Sequence, residues 1–260
     1  MAHQLVEFIA EYYTKLLAQP SPLRVQPPPT LTPGFLRSKL PDTAPEGPEE
    51  FDAVLCDIED LILPGLLHWQ HPNFYGYFSH SHSFPGILAD LLSSAFGTLG
   101  FQWTSSPSMT ELEITVLDWL VHLLNLPPFY NSSSRDGAGA ALQSSASEAV
   151  LVSMVAARAR SLSELSVEHS IRLVAYCSDQ AHSCVQKATM VAGIANLRVL
   201  PTHPEEDYAM NPALLSATIE KDLQDGLIPF WAAATIGTTS SCAVDPISNL
   251  ADVCMASKVW

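Results

Sequence analysis

Basic residues are scarce in this chain. Twelve lysines and arginines stand against 27 acidic residues over 260 positions, a formal charge of −15. That deficit argues against nucleic acid and against anionic membrane surfaces as partners. Cysteines are few and scattered: Cys56, Cys177, Cys184, Cys242 and Cys254, with no C-x-x-C pair. An odd, dispersed set reads as reduced thiols in a cytoplasmic protein rather than a disulfide framework or a zinc site. No segment approaches the long charge-free apolar run of a membrane span. The first residues, MAHQLVEFIAEYY, carry glutamates early and do not read as a signal peptide. Asn131-Ser132-Ser133 fits a glycosylation acceptor, but without a secretion signal it reads as a loop. A G-x-S-x-G elbow is also missing, which weakens a serine hydrolase built on Ser147 and His182.

Proline, by contrast, is concentrated. Nine prolines fall between positions 20 and 48. The segment must be extended and largely without internal hydrogen bonds. It follows a predicted helix over 3–18, whose Leu5, Phe8, Ile9, Tyr12, Tyr13 and Leu16 share one face. It precedes another helix carrying Phe51, Val54, Leu55, Ile58 and Ile62, closed by Pro64-Gly65. Helix, arm and helix over residues 1–85 cannot enclose a core by themselves, so the proline segment reads either as a flexible linker or as an arm that wraps a neighbour.

The remainder, 86–260, alternates. Pro85 suits the first turn of a helix that Gly97 breaks. Ser108 and Glu111 have capping-box spacing ahead of a helix expected to bury Leu112, Val116, Trp119, Leu120 and Leu123. Then come a short strand near 139–143, a helix over 146–160, a strand over 171–177 and a helix over 180–192. A strand at 197–200, a helix near 211–222, an apolar strand over 228–236 and a helix over 247–255 complete the pattern. Strand–helix alternation with apolar strands predicts a mostly parallel α/β sheet. Lys258-Val259-Trp260 begins a further apolar run without completing it, so the chain is expected to be part of a longer protein.

Three polar clusters follow or precede helices on this framework. Ser144, Ser145, Ala146 and Ser147 crowd one helix start. Ser145 and Glu148 account for an ordinary cap, yet the remaining amides and hydroxyls would suit a phosphate at the positive helix end. His182 follows the strand ending at Cys177, at the carboxyl edge where open sheets carry ligands. It fits a backbone-bonded helix start equally well. Gly237-Thr238-Thr239-Ser240 follows the next apolar strand. His80 and His82 have no further metal ligands near them in sequence, so no metal site is expected.

HPNFYGYF, SSPSMTELE, LQSSASEA, YCSDQAHSCVQKA and ATIGTTSSCAVDPI, in this order, resemble the pyridoxal-phosphate-dependent group II amino-acid decarboxylases, nearest the aromatic-L-amino-acid branch. The resemblance extends over nearly the whole chain, from Pro33-Gly34-Phe35-Leu36-Arg37 onward. It implies the fold type I of aspartate aminotransferase and its relatives: part of the pyridoxal-phosphate-binding large domain behind a helical, dimerising arm. It implies pyridoxal 5′-phosphate as cofactor, an amino-acid substrate and a homodimer. By resemblance, Ala146 and Ser147 hold the phosphate, His182 stacks on the pyridine ring as the catalytic histidine, and Thr239 lies beside the cofactor. Trp69, Tyr77, Phe78, His80 and Phe101 would line the substrate pocket. Ser79 and His80 depart from the Pro and small residue usual after the family's Tyr-Phe pair.

The implied reaction is decarboxylation of an aromatic amino acid to its amine and carbon dioxide. Two required groups are not matched. The family's carboxylate for the pyridinium nitrogen and the lysine that holds the cofactor lie beyond Trp260. Lys187 and Lys258 stand at neither position and read as solvated amines. The chain by itself is therefore expected to be inactive. An aromatic aldehyde synthase of the same family, and a non-catalytic dimerisation partner, remain alternatives.

Overall fold

The computed structural model describes residues 1–76, 83–134, 139–163 and 165–260. The chain forms two compact units, Met1–Gly97 and Thr98–Trp260.

In the first unit, helix α1 (Ala2–Leu17) follows the predicted periodicity. Its Leu16 is fully buried and its Tyr12 hydroxyl bonds His68 Nδ1 at 2.8 Å. The arm is pinned where the His68 amide donates to the Val25 carbonyl, 3.1 Å. Residues 28–40 are not wholly extended as predicted. They wind through successive turns, with the amides of Leu31, Phe35, Ser38 and Leu40 bonded three or four residues back. Prolines at 27–29 and 33 forbid a helix but permit turns around them. Helix α2 (Phe51–Asp57) runs into a wider π-helical turn, Ile58–Ile62, before Pro64 ends it. Gly65 is required there, because a Cβ would come within 2.6 Å of the Phe35 ring. Helix α3 (Phe84–Phe96) is capped by the Ser83 hydroxyl on the Gly86 amide, 3.2 Å, and stops at Gly97 in the left-handed region.

The second unit opens with α4 (Pro107–Leu123). The predicted capping box does not form. The helix starts at Pro107 with Ser106 in the cap position, two residues earlier than predicted, and Glu111 accepts from the Trp103 indole at 3.3 Å instead of turning back to Ser108. It buries Leu117 and Val121, while the predicted face of Leu112, Val116, Trp119, Leu120 and Leu123 is exposed. Residues 139–143 are not a strand. They pass as irregular chain, with the Leu142 amide held by Glu113 at 2.8 Å. No neighbouring strand offers them a ladder, which an apolar–small pattern alone cannot reveal.

Helix α5 (Ala146–Ser163), strand β1 (Leu173–Ser178), helix α6 (Cys184–Val191), strand β2 (Asn196–Leu200), helix α7 (Pro212–Gln224), strand β3 (Ile228–Ala232) and helix α8 (Ile247–Ala256) then follow. The sheet is parallel with order β2-β1-β3. Strand β1 is buried throughout, and its alternate residues feed two cores. Leu173, Ala175 and Cys177 pack under α5 and α6 with Phe230 and Trp231. Val174 and Tyr176 pack under α7 and α8 with Leu215, Ile219 and Leu250. Strand β3 is shorter than its apolar sequence predicts. Ile236 lies beyond it, 71% exposed, bridged antiparallel to Val244. On its other side β3 receives Trp260, whose amide donates to the Phe230 carbonyl and whose carbonyl accepts from Ala232, both 2.9 Å. These two bonds have the parallel pattern.

One polar cluster is sealed into the second core. The Tyr176 hydroxyl donates to Asp222 at 2.9 Å, and Arg198 grips the same carboxylate with its Nε at 3.1 Å and an outer nitrogen at 2.6 Å. Asp222 is 3% exposed. Burial and the Asp222 bond push the Tyr176 hydroxyl well above the ordinary phenol range.

Candidate functional site

The strand order fixes where a ligand can enter. Chain β1–α6–β2 builds outward on one side of β1, and β2–α7–β3 returns to the other side. Helices α6 and α7 accordingly cover opposite sheet faces. The order reverses at β1, so the ligand crevice expected of open parallel sheets lies outside the carboxyl ends of β1 and β3. The loop carrying His182 leaves β1 there, and the turn carrying Thr239 leaves β3 there.

Helix α5 lies on the same sheet face as α6. Its front is capped much as Ser145 and Glu148 predict. The Ser145 hydroxyl accepts the Glu148 amide at 3.2 Å, and Glu148 reaches back to the Ser144 amide at 3.2 Å and to the Ser144 hydroxyl. This leaves the amides of Ala146 and Ser147 without an acceptor among the described residues. Both residues are exposed. Two outward N–H groups at the positive end of an 18-residue helix, with a hydroxyl on Ser147, form a donor set that fits a phosphate. The carboxylate nearest in sequence, Glu148, is turned back onto Ser144.

His182 is exposed, and its Nδ1 accepts the Cys184 amide at 3.1 Å. In the neutral ring that bond leaves the proton on Nε2. The backbone-bonded helix start and an accessible ring are thus both present in one residue. Thr239 is exposed at the tip of its turn, which Gly237 enters at φ +77°. The neighbouring Thr238 is buried and structural. Its Oγ1 accepts the Ala243 amide at 3.1 Å and meets Ser241 Oγ at 2.6 Å.

Sequence reasoning missed the groups that tie these loops together. Asp179 accepts the Thr202 hydroxyl at 2.6 Å and amide at 3.2 Å, joining the loops after β1 and β2. Burial raises the Asp179 carboxyl, but the Thr202 and Gln180 bonds outweigh it and leave it below the ordinary range. Ser241 donates to Gln180 Oε1 at 3.0 Å, joining the loops after β3 and β1. Asp245, 2% exposed, accepts the amides of Met210 and Thr235, each at 2.7 Å, and so holds the base of the Thr239 turn. These partners lie 10 to 61 positions apart, so no local pattern announces them.

The predicted substrate residues are divided between the two units, and three of them fall in a segment outside the described residues. Tyr77, Phe78 and His80 lie outside the described residues. Trp69, in the first unit, stacks on Phe74 with centroids 6.2 Å apart. Phe101, in the second unit, is 74% exposed. A cavity of about 800 Å³ in the second unit is lined by Met210, Ala232, Leu250, Arg160 and Trp260 among others, and by none of the predicted site residues. It lies beside Trp260 at the outer edge of β3. No group of three or more potential metal ligands occurs among the described residues, and no described helix is long and apolar enough to cross a membrane.

Known proteins share this arrangement. Tyrosine decarboxylase 2 of Narcissus pseudonarcissus is 44% identical over 100% of this chain and 51% of that protein. Phenylacetaldehyde synthase of Arabidopsis thaliana is 44% identical over 99% of this chain and 51% of its own length. The chain thus spans about half the length of the curated relatives it matches. The crystal structure of Oryza sativa TDC with PLP superposes with a TM-score of 0.91 at 38% identity, covering 100% of this chain and 55% of that one. The architecture is that of the fold type I pyridoxal-phosphate enzymes. Residues 33–260 match the pyridoxal-dependent decarboxylase conserved domain, and the chain belongs to that family.

Proposed function

We propose that this chain supplies the phosphate- and ring-binding portion of a carboxy-lyase that converts an aromatic L-amino acid, such as tyrosine, tryptophan, DOPA or phenylalanine, to its amine and carbon dioxide. The observation that carries the reading is the pair of unaccepted amides at Ala146 and Ser147, on the sheet face that also bears the His182 helix. Bound pyridoxal phosphate supplies an electron sink for the carbanion left when carbon dioxide departs. The chain's own residues hold and orient. Ala146 and Ser147 anchor the anion, His182 covers the ring with its Nδ1 restrained, and Thr239 borders it. Trp69, Tyr77, Phe78, His80 and Phe101 are proposed for the aromatic substrate.

Lys187 is exposed on α6, and Lys258 borders the cavity away from the crevice. Neither stands at the lysine position that the family resemblance implies, so the 260-residue chain is expected to bind cofactor without turnover. Incubation with pyridoxal phosphate and each aromatic amino acid should release no amine above background, and turnover would overturn this part of the reading. Loss of cofactor binding in Ser147→Glu supports the site, and unchanged binding refutes it.

A second reading, aldehyde synthesis, is favoured by the Arabidopsis relative, as similar to this chain as the Narcissus decarboxylase. Assaying a form as long as those relatives for aldehyde against amine separates the two. A homodimer in the cytoplasm is part of the proposal. It is supported by α3, whose Leu88, Leu91, Leu92 and Phe96 are 47–68% exposed, and by five free cysteines. Sedimentation at graded concentration tests it. A dimer devoid of cofactor would favour a non-catalytic pairing role instead.

A further inference from the structure

The two exposed residues proposed to flank the cofactor ring, His182 and Thr239, sit on separate loops. The gap between them depends on what joins those loops. A directed chain of hydrogen bonds does so. The Ala243 amide occupies Thr238 Oγ1 as donor, so the Thr238 hydroxyl is free to donate to Ser241 Oγ, 2.6 Å away. Ser241 then donates to Gln180 Oε1 at 3.0 Å. Gln180 Nε2 donates to Asp179 Oδ1 at 3.2 Å, and Asp179 also takes both donors of Thr202. Every hydroxyl donates once and the chain ends on a carboxylate, so the Gln180 amide has one satisfactory orientation. Reversing it would aim an N–H at the Ser241 hydroxyl and a carbonyl at a carboxylate. Bonds polarised in one direction reinforce one another. Gln180 is two residues from His182, and Ser241 two from Thr239.

We propose that Gln180 and Ser241 are positioning residues that set the width of the slot between His182 and Thr239, and thereby the preference of this site for a pyridine ring over bare phosphate. The inference rests on the cofactor site proposed above and assigns roles to residues that touch neither phosphate nor ring. The anion anchor at α5 lies outside the hydrogen-bond chain, so cutting the chain should weaken the ring contacts and spare the anchor.

The probes are pyridoxamine 5′-phosphate, whose amine cannot condense with surface lysines, and inorganic phosphate, both titrated against the 260-residue protein. Wild type should bind pyridoxamine phosphate more tightly than phosphate. Ser241→Ala should lower pyridoxamine phosphate affinity about tenfold, the size of one lost hydrogen bond, with phosphate affinity unchanged. Gln180→Ala should do the same, and Ser241→Thr, which keeps the hydroxyl, should restore most of the loss. Retained phosphate affinity reports that the variants are folded. The proposal is overturned if Ser241→Ala leaves the ratio of the two affinities at its wild-type value, or if both affinities fall together. A wild type that shows no preference for pyridoxamine phosphate would sink the cofactor site itself, a failure visible before any variant is made.

Discussion

The two units differ in how they use apolar residues. In Thr98–Trp260, β1 is buried end to end, and Phe230, Leu215, Ile219 and Met154 are sealed in two cores. In Met1–Gly97, among the described residues, Leu16 is the one buried hydrophobic residue, joined by the polar His68 and His71. Helix α3 is rich in apolar residues, yet it buries none of them. Helical periodicity therefore means different things in different places. On α5, α6, α7 and α8 it marks a face packed on the sheet, whereas α3, and α4 apart from Leu117 and Val121, keep theirs exposed.

Several substitutions would sharpen or break that contrast. The largest effect should come from Asp222→Ala, which leaves the buried Tyr176 hydroxyl and the partly exposed Arg198 guanidinium without their shared acceptor. An unsatisfied buried hydroxyl costs about 1–3 kcal/mol and loss of the charged bond to the partly solvated guanidinium adds about 1–2 kcal/mol, measurable by urea unfolding. Next, Leu16→Ala in the arm should cost about 2–4 kcal/mol, whereas Leu91→Ala on exposed α3 should cost about 0.5 kcal/mol or less in the monomer. A large monomer penalty at Leu91 would break the comparison. In the second unit, Ser147→Glu should change stability by about 0.3–1 kcal/mol in the favourable direction, since an acid suits a helix front. The same change should abolish phosphate affinity, so binding and stability should move in opposite directions.

The smallest effect concerns acid. Burial, and then His71 beside it, hold the His68 imidazole below its usual value. A histidine kept neutral by folding binds fewer protons than its unfolded form. The arm's stability should therefore be complete above about pH 6.5 and decline as pH falls through that value toward the folded pKa. Tyr12→Phe removes the bond to His68 Nδ1 and should blunt the packing of α1 there. Chemical shifts of the His68 ring followed against pH would show the displaced titration, and a normal imidazole titration would contradict it.

Much was legible in the residues alone. Apolar spacing located the eight α-helices of the described residues to within a few positions, and Ser145 with Glu148 announced the cap of α5. Alternation of strand and helix gave the parallel sheet, with the loops of His182 and Thr239 following two of its strands. Other features were not legible because they depend on neighbours remote in sequence. Residues 139–143 have strand-like composition but meet no ladder. Ser108 and Glu111 have the spacing of a cap, but Trp103 takes the carboxylate. Ile236 is as apolar as β3 yet lies outside it.

The chain's local patterns determined which segments are helical or extended, and which helix fronts offer unspent amides. Those properties arise from contacts within a few residues. Only tertiary structure decided the strand order, and with it the reversal at β1 that sets where the crevice is expected. It alone brought Gln180 to Ser241, 61 positions away, and closed Asp222 between Tyr176 and Arg198. Hydrogen bonds across such separations form only after the sheet has brought distant loops to one edge, so their residues carry no signature until the chain is folded.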